Sequence, residues 1–153
     1  MISILFVCHG NICRSPMAEY IMRDMVEKAG LSREIRVASA ATSTEEIGHG
    51  VYPPAKRMLS AHGIDCTGKT ARQITPQDFT QYDYVVCMEH YNLRHLRTVV
   101  GVALAEKACC LLDFTAHPRD IADPWYTGDF EATWRDCVEG CEALLHYLQQ
   151  TSA

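Results

Sequence analysis

No apolar run in this chain approaches the ~20 residues that a membrane-spanning helix requires. Glycine and proline are scarce, 9 and 6 in 153 residues, which excludes collagen-like and low-complexity classes. Positive charge is also short: 14 basic against 19 acidic side chains leave a formal net charge of −5. A sequence-independent nucleic-acid binder needs a basic face to displace counterions, so that class is excluded. The opening MISILFV lacks a positively charged leader and runs straight into a glycine-bearing loop. It reads as a strand rather than a signal peptide, and the expected location is cytoplasmic.

What is present is a large apolar fraction, 48% of residues, which excludes disorder. The length fits a single domain, residues 1–153, able to bury roughly two thirds of its unfolded surface. Eight cysteines suggest a disulfide scaffold, but such scaffolds are shorter and poorer in core residues. Cys137 and Cys141 share a helical stripe with Phe130, Trp134, Val138, Leu144, Leu145 and Leu148, the pattern of small buried hydrophobes.

Strands and helices alternate along the chain. Ile2–Val7 is a continuous apolar run of strand length, followed by the polar loop Cys8–Ser15 and by Pro16, placed for a first helical turn. Ala18, Ile21, Met22, Met25 and Ala29 keep helical period, and Gly30 is a natural cap. Further strands are expected at 35–38, 82–88 and 108–112. Helices are expected at 54–62, 89–99 and 130–149, with a short turn at Thr75-Pro76. Repeated βα units predict one α/β domain, a doubly wound parallel sheet with helices on both faces. In such a sheet ligands bind beyond the carboxyl ends of the strands, which directs attention to VCHGNICRSP.

Three motif matches compete. Cys8-x5-Arg14 is the spacing of cysteine-dependent phosphatase loops, and the same spacing recurs at Cys66–Arg72. Context separates them. The first follows an apolar strand and leads into a helix, so backbone N–H groups and the helix N-terminus can converge on one anion. The second follows a helix cap, and Pro76 stops any long helix from starting there. The third match, Gly63-x4-Gly68-Lys69-Thr70, satisfies the nucleotide-binding Walker pattern letter by letter. It lacks the strand before and the helix after that a phosphate-cradling loop needs. A nucleotide binder at Gly63–Thr70 is the alternative from a different class.

The first loop supplies a complete chemistry. A thiol at a helix N-terminus beside a cation is the kind that ionises readily, which makes Cys8 a candidate nucleophile. Arg14 offers a planar fork for two phosphate oxygens. Ser15 can donate its hydroxyl to the thiolate. Gly10 and Asn11 tolerate the positive φ of a tightly curled loop. No cofactor or metal is called for, because the loop itself provides the positive potential. Expelling a phenolate at neutral pH requires a proton donor. Asp123 in ADPWYTG is the candidate, with Asp113, Asp120 and Asp129 as rivals; it also fits a turn aspartate before proline. Trp125 and Tyr126 beside it could flank a phenyl ring. Cys13 shares the loop with Cys8, and curling could bring the two sulfurs together for reversible oxidation.

The stretch VCHGNICRSPMAE, with ADPWY ahead of a final helix, SAATS at 39–43 and YDYVVCMEHYNL at 82–93, resembles the low-molecular-weight protein tyrosine phosphatase family over essentially the whole chain. The resemblance implies a flavodoxin-like fold and hydrolysis of phosphotyrosine proteins or peptides through a phosphocysteine intermediate. It assigns Cys8 as nucleophile, Arg14 as phosphate binder and Asp123 as general acid, with Asn11, Ser15 and Ser39 shaping the loop. His9, Gly10, Ile12, Cys13, Trp125 and Tyr126 fall at the substrate pocket. Two departures bear on specificity: His9 stands where relatives often carry an aliphatic residue, and Glu45 and Glu46 stand where some carry a wall tryptophan. Two activities on the same fold are the alternatives. An arsenate reductase would need a further close cysteine pair, and a protein-arginine phosphatase would carry threonine at the position of Ile12. The expected assembly is a monomer or weak homo-oligomer.

Overall fold

The computed structural model describes residues 1–151. Its elements are β1 (Ile2–Cys8), α1 (Arg14–Lys28), β2 (Ile35–Ala41), α2 (Pro53–Ala61), α3 (Asp78–Gln81) and β3 (Tyr84–Cys87), followed by α4 (His90–Val100), α5 (Val102–Ala105), β4 (Cys109–Cys110), a 3-10 turn (Leu111–Phe114), α6 (Pro124–Thr127) and α7 (Phe130–Thr151). The four strands form one parallel sheet in the order β2-β1-β3-β4.

Alternation along β1 explains why both faces are covered. Ile4, Phe6 and Cys8 enter the core shared with Met17, Ile21 and Met22 of α1, Leu59 of α2, and Cys137, Cys141 and Leu144 of α7. Leu5 and Val7 enter a second core with Val85 and Cys87 of β3, Leu96 of α4 and Ala105 of α5. A strand buried on both sides is largely apolar, which is why Ile4–Val7 shows no polar alternation. Ser3, the polar exception, is buried with its hydroxyl donating to Gln81 O at 3.0 Å. The chain leaves β1 towards β2 on one side and returns as β3 on the other. This reversal opens a crevice at the carboxyl ends of β1 and β3.

Several boundaries differ from expectation. Helix α1 starts at Arg14, so Pro16 lies inside its first turn, where a missing N–H has no intrahelical partner to lose. Strand β2 continues to Ala41 because Ala38–Ala41 stay in register with Leu5–Cys8. The 108–112 strand shrinks to two residues. Asp113 turns back to accept the Cys110 N–H at 3.0 Å, and the chain coils into the 3-10 turn. Strand β3 is shorter than 82–88, since Tyr82 closes α3. Helices α5 and α6 were not anticipated.

The two competing motifs do not build phosphate loops. Gly63, at φ 76°, ends α2, and neither a strand precedes Gly63–Thr70 nor a helix follows it before α3. Arg72 is committed to Asp78 through two hydrogen bonds of 3.0 Å.

Candidate active site

Cys8 ends β1 at the crevice, and the loop curls back so that α1 begins six residues later. Asn11 makes the curl: it is the one non-glycine residue with positive φ among the described residues, at 59°. Gly10 does not adopt positive φ, contrary to expectation. Its missing side chain matters for space instead, since a Cβ there would meet Glu46 Cγ at 3.4 Å. The first turn of α1 contains no acidic residue, so the positive end of the helix dipole is left for an anion.

A directed hydrogen-bond chain serves the Cys8 sulfur. Asn11 Nδ2 donates to Ser15 Oγ at 2.8 Å and to Ser39 Oγ at 2.9 Å. With its oxygen occupied as acceptor, Ser15 has its proton free for Cys8 Sγ, 3.0 Å away. The Asn11 backbone N–H also points at Sγ, at 3.3 Å. Ser39 donates its own hydroxyl hydrogen bond to Glu19, a carboxylate buried within α1. Glu19 is balanced by Arg23 and by Lys69, whose Nζ also donates to Ser39 O at 3.0 Å. Burial holds the Lys69 ammonium below the ordinary lysine range, against the opposing pull of Glu19.

Arg14 is only 2% exposed, and both terminal nitrogens of its guanidinium have partners. Nη1 donates to Ile121 O at 2.9 Å, while Glu89 and Asp123 lie at 3.3 Å. Burial opposes the charge, but Cys8, Asp123 and Glu89 outweigh it and push the group further up. Asp123 plays two parts. Oδ1 accepts the Trp125 N–H at 3.0 Å and caps α6, so the turn reading of this residue holds. Oδ2 faces Arg14 and the cleft. The rival acids are spent elsewhere: Asp113 on Cys110, Asp120 on His90, Asp129 on Ala132 N.

Cys8, His9, Gly10, Ile12, Cys13, Arg14, Asp123, Trp125 and Tyr126 therefore line one cleft of about 210 Å³, together with Glu45 and Glu46. Asn11, Ser15 and Ser39 lie beneath it, fully buried. Trp125 and Tyr126 stand exposed at the edge, and Trp125 rests on Tyr52 with ring centroids 4.9 Å apart. Burial, and next the neighbouring Cys8, push the Cys13 thiol up to about 12. The described residues contain no group of three or more His, Cys, Asp or Glu placed to hold a metal ion.

Sequence reasoning missed Glu89, Glu19, Lys69, Ile121 and Tyr52. Glu89 was findable: it follows β3 at the carboxyl edge of the sheet, next to the strand reversal, where site residues gather. Ile121 anchors the acid loop through its buried side chain and its N–H to Met88 O at 2.9 Å, and carries no local signal of that role.

Residues 3–153 match the family model described as low molecular weight phosphotyrosine protein phosphatase. The chain is 41% identical over 148 residues to the human low molecular weight phosphotyrosine protein phosphatase, covering 94% of this chain and 93% of that protein. The crystal structure of YfkJ from Bacillus subtilis superposes with a TM-score of 0.95 at 39% identity, covering 100% of this chain and 98% of that one. A Drosophila arginine phosphatase is also similar, with a TM-score of 0.84 at 29% identity, covering 95% of this chain and 96% of that one.

Proposed function

The chain belongs to the low molecular weight phosphotyrosine protein phosphatase family and is a cysteine-dependent protein tyrosine phosphatase, and we propose that it hydrolyses phosphotyrosine monoesters with Cys8 as nucleophile, Arg14 as phosphate binder and Asp123 as general acid. The convergence of Cys8, Arg14 and Asp123 in one cleft carries this reading. The Cys8 sulfur attacks phosphorus from the floor, and the bond from phosphorus to the tyrosine oxygen breaks. Arg14 and the amino end of α1 neutralise the phosphoryl oxygens, whose charge grows away from water. Asp123 gives its proton to the departing phenolate. A water then attacks the phosphocysteine and passes a proton back to Asp123, and the sulfur leaves as thiolate, stabilised by the Ser15 hydroxyl. This cycle returns every group to its starting state.

Ile12 and Trp125 favour a phenyl ring in the slot, and a tyrosine phosphate holds its phosphorus further from the backbone than a serine phosphate does. Phosphoarginine is a second reading, drawn from the similarity to the Drosophila arginine phosphatase. Comparing kcat/KM across matched peptides separates them. Phosphotyrosine is expected to exceed phosphoserine, phosphothreonine and phosphoarginine, and equal or greater activity on phosphoarginine would overturn the assignment. The proposed setting is the cytoplasm, as a monomer or weak homo-oligomer; the eight unpaired thiols suit a reducing compartment. Among the described residues, no helix is long and apolar enough to cross a membrane.

A further inference from the structure

The walls of the cleft are unlike one another. The α6 side is aromatic, formed by Trp125 and Tyr126, with Tyr52 behind Trp125 and Phe130 behind Tyr52. The segment between β2 and α2 contributes carboxylates, Glu45 and Glu46. Three acids thus line the cleft, Glu45, Glu46 and Asp123, against one cation, Arg14. Arg14 lies at the buried floor and is held by Glu89, Asp123 and Ile121. Arg94 stands on the neighbouring shoulder over the Tyr91 ring and does not line the cleft.

The two glutamates are built into place. Thr42 N donates to Cys8 O at 2.9 Å and Ser43 N to His9 O at 3.0 Å, which ties their segment to the phosphate loop. Ser43 Oγ adds a further bond to His9 O at 2.8 Å. Glu46 lies over Gly10, and a neighbouring histidine, His49, orients its carboxylate. Glu45 is mostly exposed and is steered by His9 Nε2 at 3.1 Å. The His9 ring is in turn stacked on His95, with centroids 5.7 Å apart. Once a phosphotyrosine ring fills the slot, the residues beside it lie at this rim.

We infer that the rim selects phosphotyrosine segments with lysine or arginine beside the phosphorylated residue, and that Glu45 and Glu46 are the specificity-determining side chains. This inference rests on the phosphotyrosine reading above. Acidic flanks are repelled by the same carboxylates, and basic ones are drawn in and held. Exposed ion pairs are individually weak, so exchanging two acidic flanks for two basic ones should change kcat/KM by about tenfold at low salt.

The test uses three phosphotyrosine peptides, identical except for arginine, alanine or aspartate on both sides of the phosphotyrosine, with p-nitrophenyl phosphate as a flank-free reference. The expected order is arginine, alanine, aspartate. The ratio of the outer two should narrow to below about threefold at 0.5 M salt, where charges are screened over a few ångströms. In the Glu45→Gln, Glu46→Gln double variant the ratio should fall towards one. Turnover of all three peptides with equal kcat/KM would overturn the inference while leaving the tyrosine phosphatase reading intact. A tenfold preference that survived in the double variant would overturn the assignment to these glutamates. Turnover of p-nitrophenyl phosphate with no turnover of any peptide would overturn both.

Discussion

Cys8 and Cys13 lie in one cleft and one loop but in different surroundings. Cys8 receives hydrogen bonds from Ser15 and Asn11, whereas the Cys13 thiol is held protonated by burial and by its neighbour Cys8. Cys8→Ser should abolish p-nitrophenyl phosphate turnover while vanadate still binds. Cys66→Ser, in a loop whose arginine is spent on Asp78, should stay within a few-fold of the parent. For the proposed proton donor, Asp123→Asn should slow phenyl phosphate turnover by roughly 10²–10⁴-fold, and much less for a better leaving group. A uniform loss across leaving groups would assign Asp123 to capping α6 alone. Peroxide should convert the Cys8 thiolate to a sulfenic acid, which removes the charge that helps keep Cys13 protonated. The Cys13 thiol can then displace water and close a disulfide that dithiothreitol reopens. Cys13→Ser should therefore be inactivated irreversibly by peroxide, and full rescue of that variant by reductant would rule out a protective role.

At the scale of elements, α7 packs closely against the 3-10 turn. Gly140 of α7 leaves room for Leu111, and a Cβ there would overlap the Leu111 side chain at its branch point. Alanine is the better helix former by about 1 kcal/mol, but overpacking a buried contact typically costs about 1–3 kcal/mol. Gly140→Ala should therefore lower Tm, by a few degrees, as measured by calorimetry; an unchanged or raised Tm would show that Leu111 yields freely. This contact also marks a limit of sequence reading. The 130–149 period announced a long helix with one apolar face, but nothing in that period signals that Gly140 seats another element. The helix after Cys8 and the strand before it were legible because their periods differ sharply. Helix α6 was not, because four residues are too few to show a period, and only the Asp123 cap and Pro124 mark its start. Glu19 was hidden for the opposite reason. A single acid in a well-formed helix reads as solvated, and its burial follows from Ser39, Arg23 and Lys69, residues that only the tertiary fold brings together.

Across the whole molecule, the doubly wound order places one strand end, one helix start and one distant loop around a single cleft. The same packing shapes the response to alkali. Burial, the largest cause in every case, raises seven of the eight cysteine thiols. Cys109 is pushed up to about 11 and Cys110 to about 12. A thiol that is harder to ionise when folded leaves stability intact below the unfolded value near 8.5 and erodes it as pH rises towards the folded one. Each fully buried thiol then contributes a loss of about 1.4 kcal/mol per pH unit. Tm should be level from pH 7 to 8 and fall steeply above about pH 9, and a flat profile to pH 10.5 would contradict the burial of these thiols. The central claim is that Cys8 carries the phosphoryl group. Acid-quenching the Asp123→Asn variant during p-nitrophenyl phosphate turnover, followed by peptide mass spectrometry, reads it directly. One phosphoryl group on the peptide containing Cys8 is the predicted result; turnover with a label on Cys66, or with no covalent label at all, would contradict it.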